Sequence, residues 1–336
     1  MLLCTVGPCF SCIMFAYSFP NFTNKGARQG PFQRNVTKLL LPCIVSSLCA
    51  ISVHSFSKLP SPSIAPHGQR YLHIPGPTDS PPLLIIPGTA QTIELWQQHI
   101  PFLLKSRTIV ICEPVGVGLQ VPRNLDMSIP SQAEILYSTL TSIKGCEGPF
   151  DIAGFSLGGR IALSLACLYP DTVHRLHLTG VALQRSSGGI LQITSWKDLL
   201  EQENTLRPFA WSALLASYSP EFLIQQKEKL PLWIDGLCQR HTLEGLRQLV
   251  HQTHQDEKDE EWSVAAMTER MPLGIKGHLC VGHHDQLAPV EHVRDLANAL
   301  QWPNPTIISD SAHVPPIENP RAWRRDLEDF LSRTQS

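Results

Sequence analysis

The sequence predicts an α/β fold: a mostly parallel central sheet flanked by helices, with one all-helical insertion. Three observations carry that prediction. Short apolar runs such as Leu83–Ile86 and Phe150–Phe155 alternate with stretches that are apolar at helical spacing, the pattern of buried parallel strands joined by crossover helices. The run at Phe150–Phe155 passes through Gly154-Phe155-Ser156-Leu157-Gly158 straight into a helical stretch, so a strand enters a helix through a serine. Between about residues 183 and 270 the alternation stops, and amphipathic pieces of helix length follow with four of the seven tryptophans.

At 336 residues, with 43% hydrophobic residues and a formal net charge of −2, the chain can bury a sizeable core and has the balance of a soluble globular protein. Nothing in that charge asks for nucleic acid or an acidic partner. A small-molecule substrate is the expected partner. The first acidic residue is Asp79, while Lys25, Arg28, Arg34, Lys38, Lys58 and Arg70 are basic. An acid-free, hydroxyl-rich start has the composition of an organellar transit peptide, plastid or mitochondrial. Residues 1–22 are also apolar and uncharged, so a secretory signal, alone or ahead of a transit segment, is the alternative. A second apolar run, residues 39–53, is interrupted by Pro42 and is too short and broken for a membrane span; an anchor there is the minority reading. We assign residues 1–62 to a targeting leader, disordered or cleaved, and expect no membrane association after its removal. Cys112, Cys146, Cys167, Cys238 and Cys280 lie beyond it, scattered and without C-x-x-C spacing, so neither a zinc site nor a disulfide framework is indicated.

The folded body is expected over residues 69–334. Arg70–Ile74 reads as the first strand and Leu83–Ile86 as a buried one, followed by Pro87-Gly88-Thr89 and a helix over 93–104 that the Thr89 hydroxyl could cap. Residues 108–112 form the next strand, ending in Glu113-Pro114-Val115-Gly116-Val117-Gly118. A helix over 131–144 has Ser131 and Glu134 at capping-box spacing. Then come the serine turn, a helix over 157–169 stopped by Pro170, and a strand at Val173–Thr179. Inside the insertion, helices are expected over 196–203, 208–218, 220–229 and 243–252, and the charged run 256–261 reads as a solvated loop face. The sheet resumes at 277–282 and is followed by His283-His284-Asp285, then a helix from Pro289 to Leu300. A last strand over 306–309 leads to Asp310-Ser311-Ala312-His313, with Glu318 and Pro320 just beyond.

The turn Gly154-Phe155-Ser156-Leu157-Gly158 resembles the nucleophile elbow of the α/β-hydrolases. Its glycines are needed because a strained serine backbone sits where strand and helix crowd together. The resemblance extends over about 69–334. It implies an α/β-hydrolase fold with a helical cap over the site, and a catalytic triad in the order Ser156, Asp285, His313. Ser156 would be the nucleophile, His313 its base and Asp285 the residue that orients the imidazole. It also implies an oxyanion hole made by the backbone N–H groups of Thr89 and Leu157, although Pro87 stands where the family usually has His. Glu113 with Gly116 and Gly118 is a variant of the family's Asp-x-x-Gly-x-Gly. A dinucleotide site is the weaker reading of that loop, because the glycine spacing and the later acid are missing. Asp310 is the rival to Asp285, but it shares a loop with His313. His283 and His284 lack a carboxylate at ligand spacing, so no metal is expected, nor any cofactor.

The expected activity is that of a cofactor-free serine hydrolase, a carboxylesterase-like enzyme acting on a small or medium apolar ester or thioester. Arg160 leaves a second reading open. Ser-x-Gly-Gly-Arg resembles the elbow of menaquinone-pathway lyases, which use the same three residues; such lyases need basic residues in the cap, and Arg185, Arg207, Arg240 and Arg247 are available but match no motif. A third reading is a ligand-binding, receptor-like or non-catalytic member of the fold.

Overall fold

In the computed structural model the described residues are 59–120 and 125–332, so the leader reading lies almost wholly outside them. β-Branched and apolar residues in short runs build the sheet. Its strands are β1 (Ser63–Ile64), β2 (Arg70–Ile74), β3 (Leu83–Ile86), β4 (Ile109–Cys112), β5 (Phe150–Phe155), β6 (Val173–Thr179), β7 (Lys276–Gly282) and β8 (Thr306–Ile308). They lie in the order β1-β2-β4-β3-β5-β6-β7-β8. β1 and β2 pair antiparallel with their neighbours and the rest pair parallel.

Before β5 lie α1 (Ile93–Trp96), α2 (Ile100–Leu103) and α3 (Ile129–Ser142); α4 (Leu157–Leu168) follows it. Between β6 and β7 come α5 (Ser187–Gln202), α6 (Arg207–Ser217), α7 (Pro220–Gln225), α8 (Leu230–Arg240), α9 (Leu243–Gln255) and α10 (Val264–Arg270). α11 (Val290–Leu300), α12 (Pro315–Glu318) and α13 (Pro320–Ser332) complete the chain.

Because successive strand residues point to opposite faces, each apolar run feeds two cores. Leu84 and Ile86 pack with Ile161, Leu165 and Val293 on one face; Leu83 and Ile85 pack with Trp96, Trp323 and Leu327 on the other. This is why β3 and β4 read as continuous apolar runs: all four residues of each are buried.

Several local expectations need correction. The helix expected over 93–104 is two short pieces, with Thr92, not Thr89, ahead of the first and Pro101 in the first turn of the second. The helix expected from Ser131 starts earlier, at Ile129 after Ser128; Ser131 instead donates its hydroxyl to Asp126 at 2.6 Å. The insertion holds two helices that were not expected, α8 and α10. The charged run is not a uniformly solvated face: Asp256 is 3% exposed and Glu257 is paired to Arg160 and Arg185.

Candidate active site

The parallel strands all end on one edge of the sheet, and that edge collects the functional groups. Ser156 follows β5, Thr89 follows β3, Asp285 follows β7 and His313 follows β8. Ser156 has φ 51° and ψ −114°, a conformation that costs a non-glycine residue on the order of 1–3 kcal/mol. Two glycines let the surroundings hold it there. A Cβ on Gly154 would meet Gly159 Cα at 2.7 Å, and one on Gly158 would meet the Ile86 carbonyl oxygen at 2.0 Å. The turn is therefore jammed between the ends of β3 and α4, with the hydroxyl at the positive end of α4.

His313 Nε2 lies 3.0 Å from Ser156 Oγ, and His313 Nδ1 lies 2.8 Å from Asp285 Oδ2. The other carboxylate oxygen of Asp285 accepts from Leu287 N at 2.9 Å and Ala288 N at 2.8 Å. Both oxygens are thus committed, and Asp285 is 2% exposed. An ionised carboxylate on Nδ1 favours the tautomer with its proton there, leaving the Nε2 lone pair toward the serine. The Phe155 ring lies against the imidazole, centroids 5.2 Å apart. Asp310, the rival acid, is exposed and has φ 54°. His283 and His284 are exposed and stack edge to face on each other.

Thr89 and Leu157 line the same cavity as Ser156 and His313. A Cβ on Gly88 would fall 3.2 Å from Ser156 Cβ, which shows how closely the loop after β3 lies against the serine. The cavity has about 60 Å³ of space open to water-sized molecules; its apolar wall includes Ile193, Trp196, Phe209 and Leu287, and Arg185 completes it.

Four carboxylates around the site, Glu318, Glu257, Asp256 and Glu113, make contacts that the sequence did not indicate. Glu318 Oε1 accepts from Ala312 N at 2.8 Å, and its Oε2 accepts from Ser219 N at 2.8 Å, so one carboxylate joins the His313 loop to the chain beyond α6. His313 N itself donates to Ser217 O at 3.0 Å. Glu257 accepts from Arg160 Nη2 at 2.6 Å and lies 3.0 Å from Arg185 Nε. Burial raises its carboxyl, but the two guanidinium groups outweigh that and hold it below its ordinary value. The neighbouring Asp256 lacks such contact, and burial pushes it up to about 6. Glu113 is structural here: it accepts from Ile93 N at 2.8 Å and from Arg70 Nη1 at 2.5 Å, and burial pushes its carboxyl up to about 7.

Among the described residues one cluster has metal-ligand spacing, His177, His278 and Asp326, with ligand atoms within 4.8 Å of one another. Both imidazoles direct Nε2 at the carboxylate, at 2.9 and 3.0 Å. These contacts are hydrogen bonds that staple β6 and β7 to α13.

A strained serine at a strand-to-helix turn, with a histidine and a buried aspartate brought in from later strands, defines a class. The chain has the α/β-hydrolase fold, and a family model described as alpha/beta hydrolase fold matches residues 81–217. It is 26% identical over 257 residues to pyrrolizixenacetamide deacetylase of Xenorhabdus hominickii, covering 75% of this chain and 91% of that protein. It is 23% identical over 270 residues to monoacylglycerol lipase ABHD6 of Bos taurus, covering 77% and 78%. The crystal structure of MGS-M2, an alpha/beta hydrolase enzyme from a Medee basin deep-sea metagenome library, superposes with a TM-score of 0.67 at 17% identity over 80% of this chain and 96% of that one. These relatives are hydrolases, and a hydrolase of the α/β fold is what the matches support.

Proposed function

We propose that the protein is a cofactor-free serine hydrolase that cleaves a small ester, thioester or amide through an acyl-enzyme. The observation that carries this reading is the continuous line Asp285 Oδ2, His313, Ser156 Oγ, with contacts of 2.8 and 3.0 Å through opposite ring nitrogens. His313 Nε2 takes the serine proton as Oγ attacks the acyl carbon, and returns it to the leaving alcohol, thiol or amine. Asp285 steadies the imidazolium that forms between those steps. The N–H groups of Thr89 and Leu157 receive the oxyanion, each supplying roughly 3–4 kcal/mol of transition-state stabilisation in comparable sites. Water then enters and hydrolyses the acyl-enzyme by the same proton path.

The helical segment between β6 and β7 supplies the apolar cavity wall and acts as a cap. A cavity of about 60 Å³ admits a short acyl group; longer substrates require the cap to move. The deacetylase and lipase names of the relatives support a reading of acyl transfer to water, and the deacetylase name is the reason amides are included in it. Residues 1–62 act as the targeting leader in this reading.

The test is a p-nitrophenyl ester series from acetate to octanoate, assayed with wild type and Ser156→Ala and followed by mass spectrometry of the trapped acyl-enzyme. Turnover with acyl mass on Ser156, highest for the short esters, is expected. Ester turnover that survives in Ser156→Ala would contradict the assignment. So would a lack of turnover accompanied by elimination from a menaquinone-pathway lyase substrate.

A further inference from the structure

Arg185 stands in the cavity wall beside Ser156, yet the acyl chemistry gives it no task. Its position is set from one side only. Its backbone N–H donates to Glu257 Oε1 at 2.7 Å, and its Nε lies 3.0 Å from Glu257 Oε2. That same oxygen accepts from Arg160 Nη2 at 2.6 Å, and Arg160 is buried in the first turn of α4, next to the elbow. One carboxylate thereby hydrogen-bonds the backbone N–H of Arg185, ion-pairs with the Nε side of its guanidinium, and ties both to the helix that carries the nucleophile.

The other edge of the guanidinium is unspent. Neither Nη group of Arg185 donates to any described residue, and the side chain retains 15% exposure. Much of the remaining cavity wall is apolar, including Ile193, Trp196 and Phe209. A pair of parallel N–H donors held rigidly from behind is the geometry that a planar carboxylate binds bidentately. Burial, and next the like charge of Arg160, depress Arg185 to about 9, so it stays charged at neutral pH; Glu257 and, more weakly, Asp256 are the carboxylates that act on it, and neither meets the Nη edge.

We infer that Arg185 receives a carboxylate of the substrate, so that the preferred substrates are esters or amides whose acyl or leaving group carries a carboxylate on a short apolar spacer. This deepens the serine-hydrolase reading and rests on it. The fork adds specificity by position: a carboxylate gripped there leaves only a narrow set of spacer lengths that bring the scissile carbonyl to Ser156.

The experiment compares two substrates of the same shape, monomethyl glutarate and methyl 5-methylhexanoate, in which an isopropyl group replaces the carboxylate. The readout is the ratio of their kcat/KM values in wild type, Arg185→Gln and Arg185→Lys. Loss of a bidentate charged contact should lower the acid-to-neutral ratio by about 10- to 100-fold in Arg185→Gln. Arg185→Lys should restore only part of it, because an ammonium lacks the planar fork. An unchanged ratio would overturn the proposal, as would equal loss on both substrates, the signature of a merely structural arginine.

Calorimetric titration of Ser156→Ala and of Ser156→Ala/Arg185→Gln with monomethyl glutarate separates this inference from the catalytic one. Binding at least ten-fold weaker in the double variant supports the carboxylate subsite even if the serine proves not to be the nucleophile. Equal binding overturns the subsite whatever the serine does.

Discussion

The His313–Asp285 pair and the His177–His278–Asp326 cluster share one sheet, and they differ in which nitrogen meets what. In the first, Asp285 holds Nδ1 of His313 and the Ser156 hydroxyl faces Nε2. In the second, His278 meets both Asp326 and the Thr306 hydroxyl through the same Nε2, each at 3.0 Å, and its Nδ1 has no hydrogen-bond partner. His177 likewise spends Nε2 on Asp326. A ring gripped on one nitrogen and open toward a hydroxyl on the other can accept a proton at one end while its charge is steadied at the other. A ring that offers both neighbours one nitrogen cannot. Location follows the same division. Asp285 and His313 lie in turns beyond the strand ends, whereas His177 and His278 are register partners within β6 and β7, under Trp323 and Phe330 of α13. The same residue types give proposed chemistry at the edge and cohesion in the core.

The comparison can be broken most forcefully at the edge. Ser156→Ala and His313→Ala are expected to lower kcat by about 10⁴- to 10⁶-fold, and Asp285→Asn by about 10⁴-fold, with unaltered melting. Ester assays beside thermal denaturation check this. The core pair should respond the other way. Asp326→Ala leaves two buried imidazoles without their acceptor and should cost about 3–5 kcal/mol of stability, with kcat/KM on a small ester retained within a few-fold; urea denaturation and kinetics together decide.

Acid sharpens that contrast. Burial alone would raise the Asp326 carboxyl, but hydrogen bonds from His177 and His278 outweigh it and hold it well below the ordinary range. Its stabilising contribution is therefore complete above the unfolded carboxylate value, about 3.9. It is lost as pH falls through the lower folded value, because the unfolded chain there binds more protons. Wild type should lose stability below about pH 4, and Asp326→Ala should show a shallower acid slope in melting experiments.

A smaller effect probes the scaffold of the edge pair. Gly158→Ala would place a methyl 2.0 Å from the Ile86 carbonyl oxygen and should cost about 1–3 kcal/mol while displacing the nucleophile, so activity and melting temperature fall together. Glu318→Gln keeps one acceptor of the two that join Ala312 N and Ser219 N. Its kcat/KM should fall only a few-fold, and steady-state kinetics resolve that.

Much of the frame was legible because its signals are local. Leu83–Ile86, Phe150–Phe155 and Val173–Thr179 are strands at the bounds expected of them, since a four- to seven-residue apolar run admits few other uses in a parallel sheet. The positions Ser156, Asp285 and His313 followed from motifs at strand ends, and the structure brings those three side chains within hydrogen-bond distance of one another in series. What stayed hidden depends on contacts far apart in sequence. Glu257 sat in a run of charge that looks solvated, and only its approach to Arg160, 97 residues earlier, makes it a buried partner. Arg185 was one of several arginines in the insertion with nothing to single it out. α8 was missed because Pro231, Asp235 and Gly236 interrupt its pattern, though Pro231 falls in the first turn, where the ring is tolerated.

The most direct test of the central contrast is the rate at which a fluorophosphonate probe labels Ser156, measured by site-resolved mass spectrometry in wild type, Asp285→Asn and Asp326→Asn, each verified as folded. We predict that Asp285→Asn slows labelling by about 10³-fold or more, while Asp326→Asn labels within a few-fold of wild type. Equal slowing by the two variants, or rapid labelling in Asp285→Asn, would contradict the assignment of catalysis to the edge pair.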